Sequence, residues 1–333
     1  MKLAASVPAT RSPALRNAGG LRRRSEGFVH RNVKLIACAT FALLAAAVLH
    51  AQQQQQGVPE NAVVRVSDHV HAIIGFPNIA FVVGTRGTLV VDTGMGVRNG
   101  AIVVRAAEKL AKGPNLYLTT THFHPEHASG EQAFPARTVI IRPAAQQQEL
   151  EKHGEEFLEM FRGFSPQFKE ELKDVKLRAP DLVFDREVKL DLGGVTARLF
   201  WLGAAHTLGD ELIFVDPDST LISGDIVQNK IVPNMPNADA TVKGWLSILD
   251  QLEPLKPRFV VPDHGALGDG SLIGKERAFL LDLQSRALAL KRQGTSADEA
   301  AKVVTAEFKT KYPDWQTMGP VANVVQRVYA EAP

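Results

Sequence analysis

Within six residues the chain places three histidines and an acid: His122, His124, Glu126 and His127, in Thr121-His122-Phe123-His124-Pro125-Glu126-His127. Imidazole and carboxylate are ligands of borderline divalent metals such as zinc. On an extended segment His122 and His124 project to one face, because side chains alternate with a period of two. Pro125 favours a turn directly afterwards, which swings Glu126 and His127 round to a neighbouring position. A single histidine is ordinarily a structural residue with its hydrogen bonds satisfied. Three of them with an acid at the end of an apolar strand point to a metal centre.

Three later residues fit the same centre. His206 lies in Gly203-Ala204-Ala205-His206-Thr207, Asp225 in Ser223-Gly224-Asp225, and His264 in Pro262-Asp263-His264-Gly265. Each follows an apolar run, which is how a sheet scaffold presents functional side chains on loops along one edge. The runs that must carry them read as strands at Val195–Leu202, Thr220–Ile222 and Phe259–Val261, and Leu116–Thr120 leads into His122. Further strands are predicted at Val63–Val66, Val70–Ile74, Ile79–Val83, Leu89–Val91 and Leu212–Asp216. Helical periodicity covers Arg98–Lys112, stopped by Gly113-Pro114, and recurs around Val242–Leu252 and through the C-terminal third. Strands, helix and strand thus occur twice in order, which predicts two similar α/β halves with their sheets packed together and helices outside.

The ligand order resembles that of the metallo-β-lactamase superfamily, whose pattern is His-x-His-x-Asp-His, then His, then Asp or Cys, then His. The likeness runs from about Val63 to the C-terminal helices. Thr121–His127, Ala205-His206-Thr207, Gly224-Asp225 and Gly244-Trp245 are most similar to exported metallohydrolases that accompany quinoprotein and sulfur-oxidation systems. The resemblance implies an α/β fold, a four-layer αββα sandwich, with two zinc ions between the sheet edges. One metal would take His122, His124 and His206; the other would take Glu126, His127 and His264, with Asp225 bridging both. Asp92, in Val90-Val91-Asp92-Thr93-Gly94, would support the site or form a turn without being a ligand. Where the family has Asp in the first motif this chain has Glu126. The extra methylene moves the carboxylate by more than about 1 Å against a ligand tolerance of roughly 0.2 Å. A weaker, displaced or different second metal is therefore expected.

The implied chemistry is hydrolysis. Two metals about 3.5–4 Å apart lower the pKa of a shared water towards roughly 7 and polarise the scissile group. Glu126 and Asp225 would be the catalytic carboxylates, Glu126 orienting the nucleophile or shuttling its proton. The expected substrate is a small molecule with an amide, lactam, lactone or ester bond. Two other readings stand beside it: a mononuclear iron persulfide dioxygenase on the same fold, and a non-catalytic relay or binding protein. The chain contains no Gly-x-Ser-x-Gly elbow, phosphate-cradling glycine loop or dinucleotide fingerprint.

Other features are weaker. His69-x-His71 repeats the alternating spacing without a nearby acid and reads as a strand pair. Lys230 and Asn234 follow Asp225 by five and nine residues and are candidates to bind a substrate carboxylate. A lysine clamp in β-lactamases stands three past the metal residue, where this chain has Gln228. Ala144–Asp174, interrupted at Gly163 and Ser165-Pro166, carries Phe157, Met160, Phe161, Phe164 and Phe168 in a charged helical setting. These residues either cap the site as a lid or face the core from a surface helix; the second is the expectation.

Composition bounds the rest. The chain has 333 residues with 38 Lys+Arg, 36 Asp+Glu, one cysteine and 45% hydrophobic content, which is ordinary for a globular protein. Residues 1–51 stand apart. A basic segment with Arg22-Arg23-Arg24 precedes the 15-residue apolar run Leu35–Leu49 and ends at His50-Ala51. That is the pattern of a cleaved signal peptide, too short for a spanning helix. Eight basic residues and one acid fall within it, so the remaining 282 residues carry 30 basic and 35 acidic side chains, a net charge of −5. The only cysteine, Cys38, leaves with it. The expected mature protein is periplasmic or secreted and free of disulfides, with no stable membrane association after cleavage. It has no excess positive charge for nucleic acid. Residues 52–60 read as a polar tether and 61–333 as one catalytic domain.

Overall fold

In the computed structural model the chain is described over residues 57–236 and 239–332. The first sheet lays seven strands side by side in chain order. These are β1 (Val63–Arg65), β2 (Val70–Ile73), β3 (Ile79–Val83), β4 (Gly87–Val91), β5 (Asn115–Thr119), β6 (Val139–Pro143) and β7 (Leu182–Phe184). β1 to β4 are antiparallel neighbours, and β4 to β7 are parallel. Parallel neighbours need crossover connections. Helix α1 (Gly96–Leu110) makes the β4-to-β5 crossover, and helices α3 (Ala144–Arg162) and α4 (Pro166–Glu171) lie between β6 and β7. The second sheet has β8 (Glu187–Asp191), β9 (Thr196–Trp201), β10 (Glu211–Asp216), β11 (Thr220–Gly224) and β12 (Phe259–Pro262), in the order β12-β11-β10-β9-β8.

The layering follows from alternation along strands buried on both faces. In β3, Ala80 and Val82 join Leu199, Ile213, Ile222 and Val261 of the second sheet in one core. Ile79, Phe81 and Val83 point the other way, onto Ile102, Val103 and Ala107 of α1. The second sheet repeats this: Ile222 faces inward, and Leu221 faces the helices α5 (Val242–Leu252), α6 (Ser271–Arg292), α7 (Ala297–Lys311) and α8 (Val321–Glu331). Each large apolar side chain so buried contributes roughly 1.5–3 kcal/mol. The result is the expected four-layer α/β sandwich, helix–sheet–sheet–helix.

Three strands and a short helix were not legible beforehand. β6 reads Val-Ile-Ile-Arg-Pro, and its charge and proline mask a buried strand; Arg142 is 1% exposed and satisfied by Glu131 and by Gln147 at 2.7 Å. β7 is only three residues long, and β8 is an edge strand whose residues are exposed or half-buried. α2 (Pro125–Ala128) is a single turn. Of the tether expected over residues 52–60, residues 57–60 are described. There Val58 is buried, and its N–H donates to Asn99 Oδ1 at 3.0 Å. The expected signal peptide lies outside the described residues. Among the described residues no helix is long and apolar enough to cross a membrane.

Candidate metal centre

The site forms where β5, β11, β12 and the loop after β9 end on the same side. β5 stops at Thr119, the chain bends through residues 121–124, and His124 itself is extended. Pro125, with its preset φ, then opens the one-turn helix that carries Glu126 and His127. His124 is the cap residue, and its carbonyl accepts the N–H groups of His127 at 3.0 Å and Ala128 at 3.1 Å. His206 lies in the loop between β9 and β10, where Asp210 accepts the backbone N–H groups of Ala205, His206 and Thr207. Gly224 ends β11 at φ 57° and turns the chain into Asp225, against the Thr121 side chain. His264 is the second residue after β12, following Asp263.

The structure brings all seven expected residues together. His122 Nε2 and His206 Nε2 lie 3.0 and 3.3 Å from His124 Nδ1. In this triad the three donor atoms lie within 4.8 Å of one another, and so do those of Glu126, His127 and His264. Asp225 stands between the triads, Oδ2 3.3 Å from His206 Nε2 and Oδ1 3.5 Å from His264 Nε2. Glu126 reaches the second triad despite its extra methylene, Oε1 lying 3.8 Å from His127 Nε2. The donor set fits divalent metal by a direct test. Glu126 Oε2, His127 Nε2 and Asp225 Oδ1 are buried without a hydrogen-bond partner, an arrangement that otherwise costs about 1–3 kcal/mol per group.

Surrounding groups aim the ligands. His206 Nδ1 meets the carbonyl of Asn234 at 2.7 Å, leaving Nε2 for the site. His127 Nδ1 lies 3.2 Å from Asp92 Oδ2 and 3.3 Å from Asp263 Oδ2, so its Nε2 faces the second triad. Asp92 is therefore an orienting residue, held in left-handed backbone at φ 68° with its carboxylate on the Thr121 N–H at 2.8 Å. Thr121 Oγ1 also donates to Asp263 at 2.5 Å. Burial and the Asp92 charge push the Asp263 carboxyl well up. Trp245 is fully buried, its Nε1 donating to the Ile226 carbonyl and its ring 6.1 Å from that of His206. Gly244 beside it lets α5 press on the His206 loop, since a Cβ there would fall 2.3 Å from the Ala204 oxygen.

Charge in the site follows from burial and neighbours. Burial, then the adjacent imidazoles, hold His122 well below its ordinary pKa, in the neutral form that binds metal. Burial raises Glu126 to about 7. Burial disfavours the imidazolium of His127, but Asp92, Asp263 and Glu126 outweigh it and push the pKa to about 10. Burial likewise opposes ionisation of Asp225, and His264, His206 and His127 bring it below the usual range.

Some candidates lie elsewhere. Lys230 points to the surface, its ammonium 2.5 Å from Asp314, so it is not a clamp over the triads. Asn234 enters through its carbonyl on His206. His69 joins Asp218 at 2.7 Å, tying β2 to the turn after β10. The sequence reading did not single out Asp263 or Glu149. Asp263 carried a signal, since it too stands directly after an apolar strand.

A family profile described as the metallo-beta-lactamase superfamily matches residues 73–264, over half the chain and including every ligand candidate. The chain belongs to the metallo-β-lactamase superfamily. A linear primary-alkylsulfatase of Pseudomonas sp. (strain ATCC 19151) is 26% identical over 213 residues, 54% of this chain and 40% of that protein. This chain therefore spans about two fifths of that relative's length. Among solved structures, the metallo-β-lactamase from Pontibacter korlensis superposes with a TM-score of 0.54 at 20% identity, over 66% of this chain and 98% of that one. The sec-alkylsulfatase Pisa1 from Pseudomonas sp. superposes with a TM-score of 0.60 at 15% identity, over 80% of this chain and 49% of that one. Those structural likenesses show the shared fold. Superfamily and buried cluster together make the site a metal centre.

Proposed function

We propose that this chain is an exported, zinc-dependent hydrolase of a small molecule with an ester, lactone, lactam or amide bond. The alkylsulfatase relative adds sulfate esters to that set. One observation carries the reading: two facing triads, His122/His124/His206 and Glu126/His127/His264, share Asp225 between them. Zinc bound there supplies Lewis acidity and brings the pKa of a coordinated water towards about 7. The protein's own part is positioning and proton handling. His122, His124 and His206 present their nitrogens to one point, and Asp92 with Asp263 keeps His127 facing the other. Glu126, the carboxylate of the second triad, orients the attacking water or takes its proton.

The test is metal quantification on the purified mature protein, joined to a hydrolysis panel of alkyl sulfates, carboxylic esters, lactones and β-lactams. The reading expects bound zinc and turnover of at least one class, abolished by His122→Ala. A protein that takes up no divalent ion, or that turns over none of the panel when loaded, overturns it. Bound iron with oxygen uptake on a persulfide would replace it with the dioxygenase reading.

A further inference from the structure

Helix α3 was expected to turn its aromatic residues into the core, and it does so only in part. Leu158 and Phe161 are buried with Met95 and Leu172, whereas Phe164, just past the helix, is 60% exposed. Phe157 does neither. Half-buried, it lays its ring on the imidazole of His124, with centroids 4.8 Å apart and planes 14° from parallel. His124 is the residue whose Nδ1 faces His122 Nε2 and His206 Nε2, at 3.0 and 3.3 Å. Those two neighbours meet its ring edge-on, at 77° and 83°. Phe157 covers a face of it.

The covering ring is itself held. Phe123 meets Phe157 at 4.8 Å and 67°. The next residue, Leu158, is locked among Met95, Phe161 and Leu172, and Arg162 at the end of α3 donates from Nη2 to the Leu172 carbonyl at 2.9 Å. An imidazole with a ring flat against it cannot turn about its Cβ–Cγ bond without leaving that contact, so the stack fixes the plane in which Nδ1 points. It also favours the liganded state. A nitrogen that gives its lone pair to a cation leaves its ring electron-poor, and such a ring is drawn to the electron-rich face of a benzene ring. The other triad members are aimed by polar groups: His206 by the Asn234 carbonyl, His127 by Asp92 and Asp263.

We propose that Phe157 is a positioning residue for the triad His122/His124/His206, holding the His124 ring in its liganding plane and raising that triad's affinity for a divalent metal. The proposal rests on the metal-dependent reading of the site but concerns one triad alone. Aromatic stacking contributes about twofold to tenfold in an equilibrium constant beyond the area it buries.

The test compares Phe157→Leu, which keeps apolar cover and loses the ring, with Phe157→Tyr, which keeps the ring. Competition with a chelating dye measures the zinc affinity of each triad. Visible absorption with one equivalent of cobalt reports ligand geometry at the tighter site, expected to be the first triad because Glu126 burdens the second. Phe157→Leu should weaken zinc at the first triad by about twofold to tenfold and alter the cobalt spectrum. Phe157→Tyr should restore both, and Phe164→Leu, which removes the exposed ring nearby, should change neither. Wild-type affinity and spectrum in Phe157→Leu overturn the proposal. So does equal weakening of both triads, or a Tyr variant as weak as the Leu variant. Circular dichroism and melting of the metal-free proteins confirm that each variant is folded. A wild type that takes up neither zinc nor cobalt overturns the metal centre itself; one that loads both and ignores Phe157→Leu overturns only the stacking role.

Discussion

Asp92 Oδ2 and His127 Nδ1 lie 3.2 Å apart, both side chains fully buried, although 35 residues separate them in the chain. This contact fixes which nitrogen of His127 faces the second triad. It also raises the pKa of His127, so a metal entering the triad displaces a proton. Replacing Asp92 by Asn keeps the shape and loses the charge. Zinc affinity at the weaker of the two sites should fall about 10- to 100-fold, read by competition with a chelating dye. The stronger site should be nearly unaffected, and equal weakening of both would contradict the assignment of Asp92 to His127.

Glu126 holds a ligand position in the second triad and brings a carboxylate to the reacting centre. In Glu126→Gln one oxygen remains to meet His127, but the carboxylate is gone. Turnover should drop by roughly 10²- to 10⁴-fold, the range for a lost general acid–base group. Zinc content should fall towards one equivalent. Wild-type rates in the Gln variant would remove Glu126 from the chemistry.

Gly244→Ala tests the packing between α5 and the His206 loop. The new Cβ falls 2.3 Å from the backbone oxygen of Ala204, and backbone must shift to admit it. Overpacking of this kind costs about 1–3 kcal/mol. Denaturant midpoints should move by that amount, and zinc binding at the His122/His124/His206 triad should weaken with it, because Ala204 is two residues from His206.

Glu149 accepts the N–H groups of Leu208 and Gly209, each at 3.1 Å, just beyond His206. Burial raises its pKa to about 7 against these two hydrogen bonds. The native state therefore binds this proton more tightly than the unfolded chain, whose Glu titrates near about 4.3. The contribution to stability is full below that value and is lost as pH rises to about 7. In metal-free protein, the wild type should lose stability relative to Glu149→Gln over this window and hold a constant offset above it. Chemical denaturation at stepped pH checks the sign; an offset that does not change with pH would refute it.

Metal should also hold the fold together. Ligands from four separate chain segments converge on the two triads, so the unfolded chain cannot reproduce either. At free zinc 100 times the dissociation constant, each site should add about 2.7 kcal/mol to unfolding. Melting with and without a chelator measures it. Because native Asp225 Oδ1 and His127 Nε2 otherwise lie buried without partners, an unchanged melting temperature would count against metal in both triads.

The ligands are readable in the sequence because they are concentrated. Four fall within six residues, and the other three each follow an apolar strand. Strand alternation and helix stops likewise made the sandwich legible, since burial on both faces of β3, β4 and β10 leaves continuous apolar runs. What stayed hidden depends on contacts between distant segments. β6 conceals itself behind Arg142, whose burial is tolerable only because Glu131 is brought beside it by the fold. Asp263 becomes an orienting group only when β12 closes against Thr121, 142 residues earlier. Lys230, so near Asp225 in the chain, turns out to face Asp314. The aromatic residues of α3 and α4 have the spacing of an ordinary amphipathic face. Only the fold sets Phe157 on His124 and Phe76 beside His264, because local periodicity records which side of a helix is apolar and not what that side will meet.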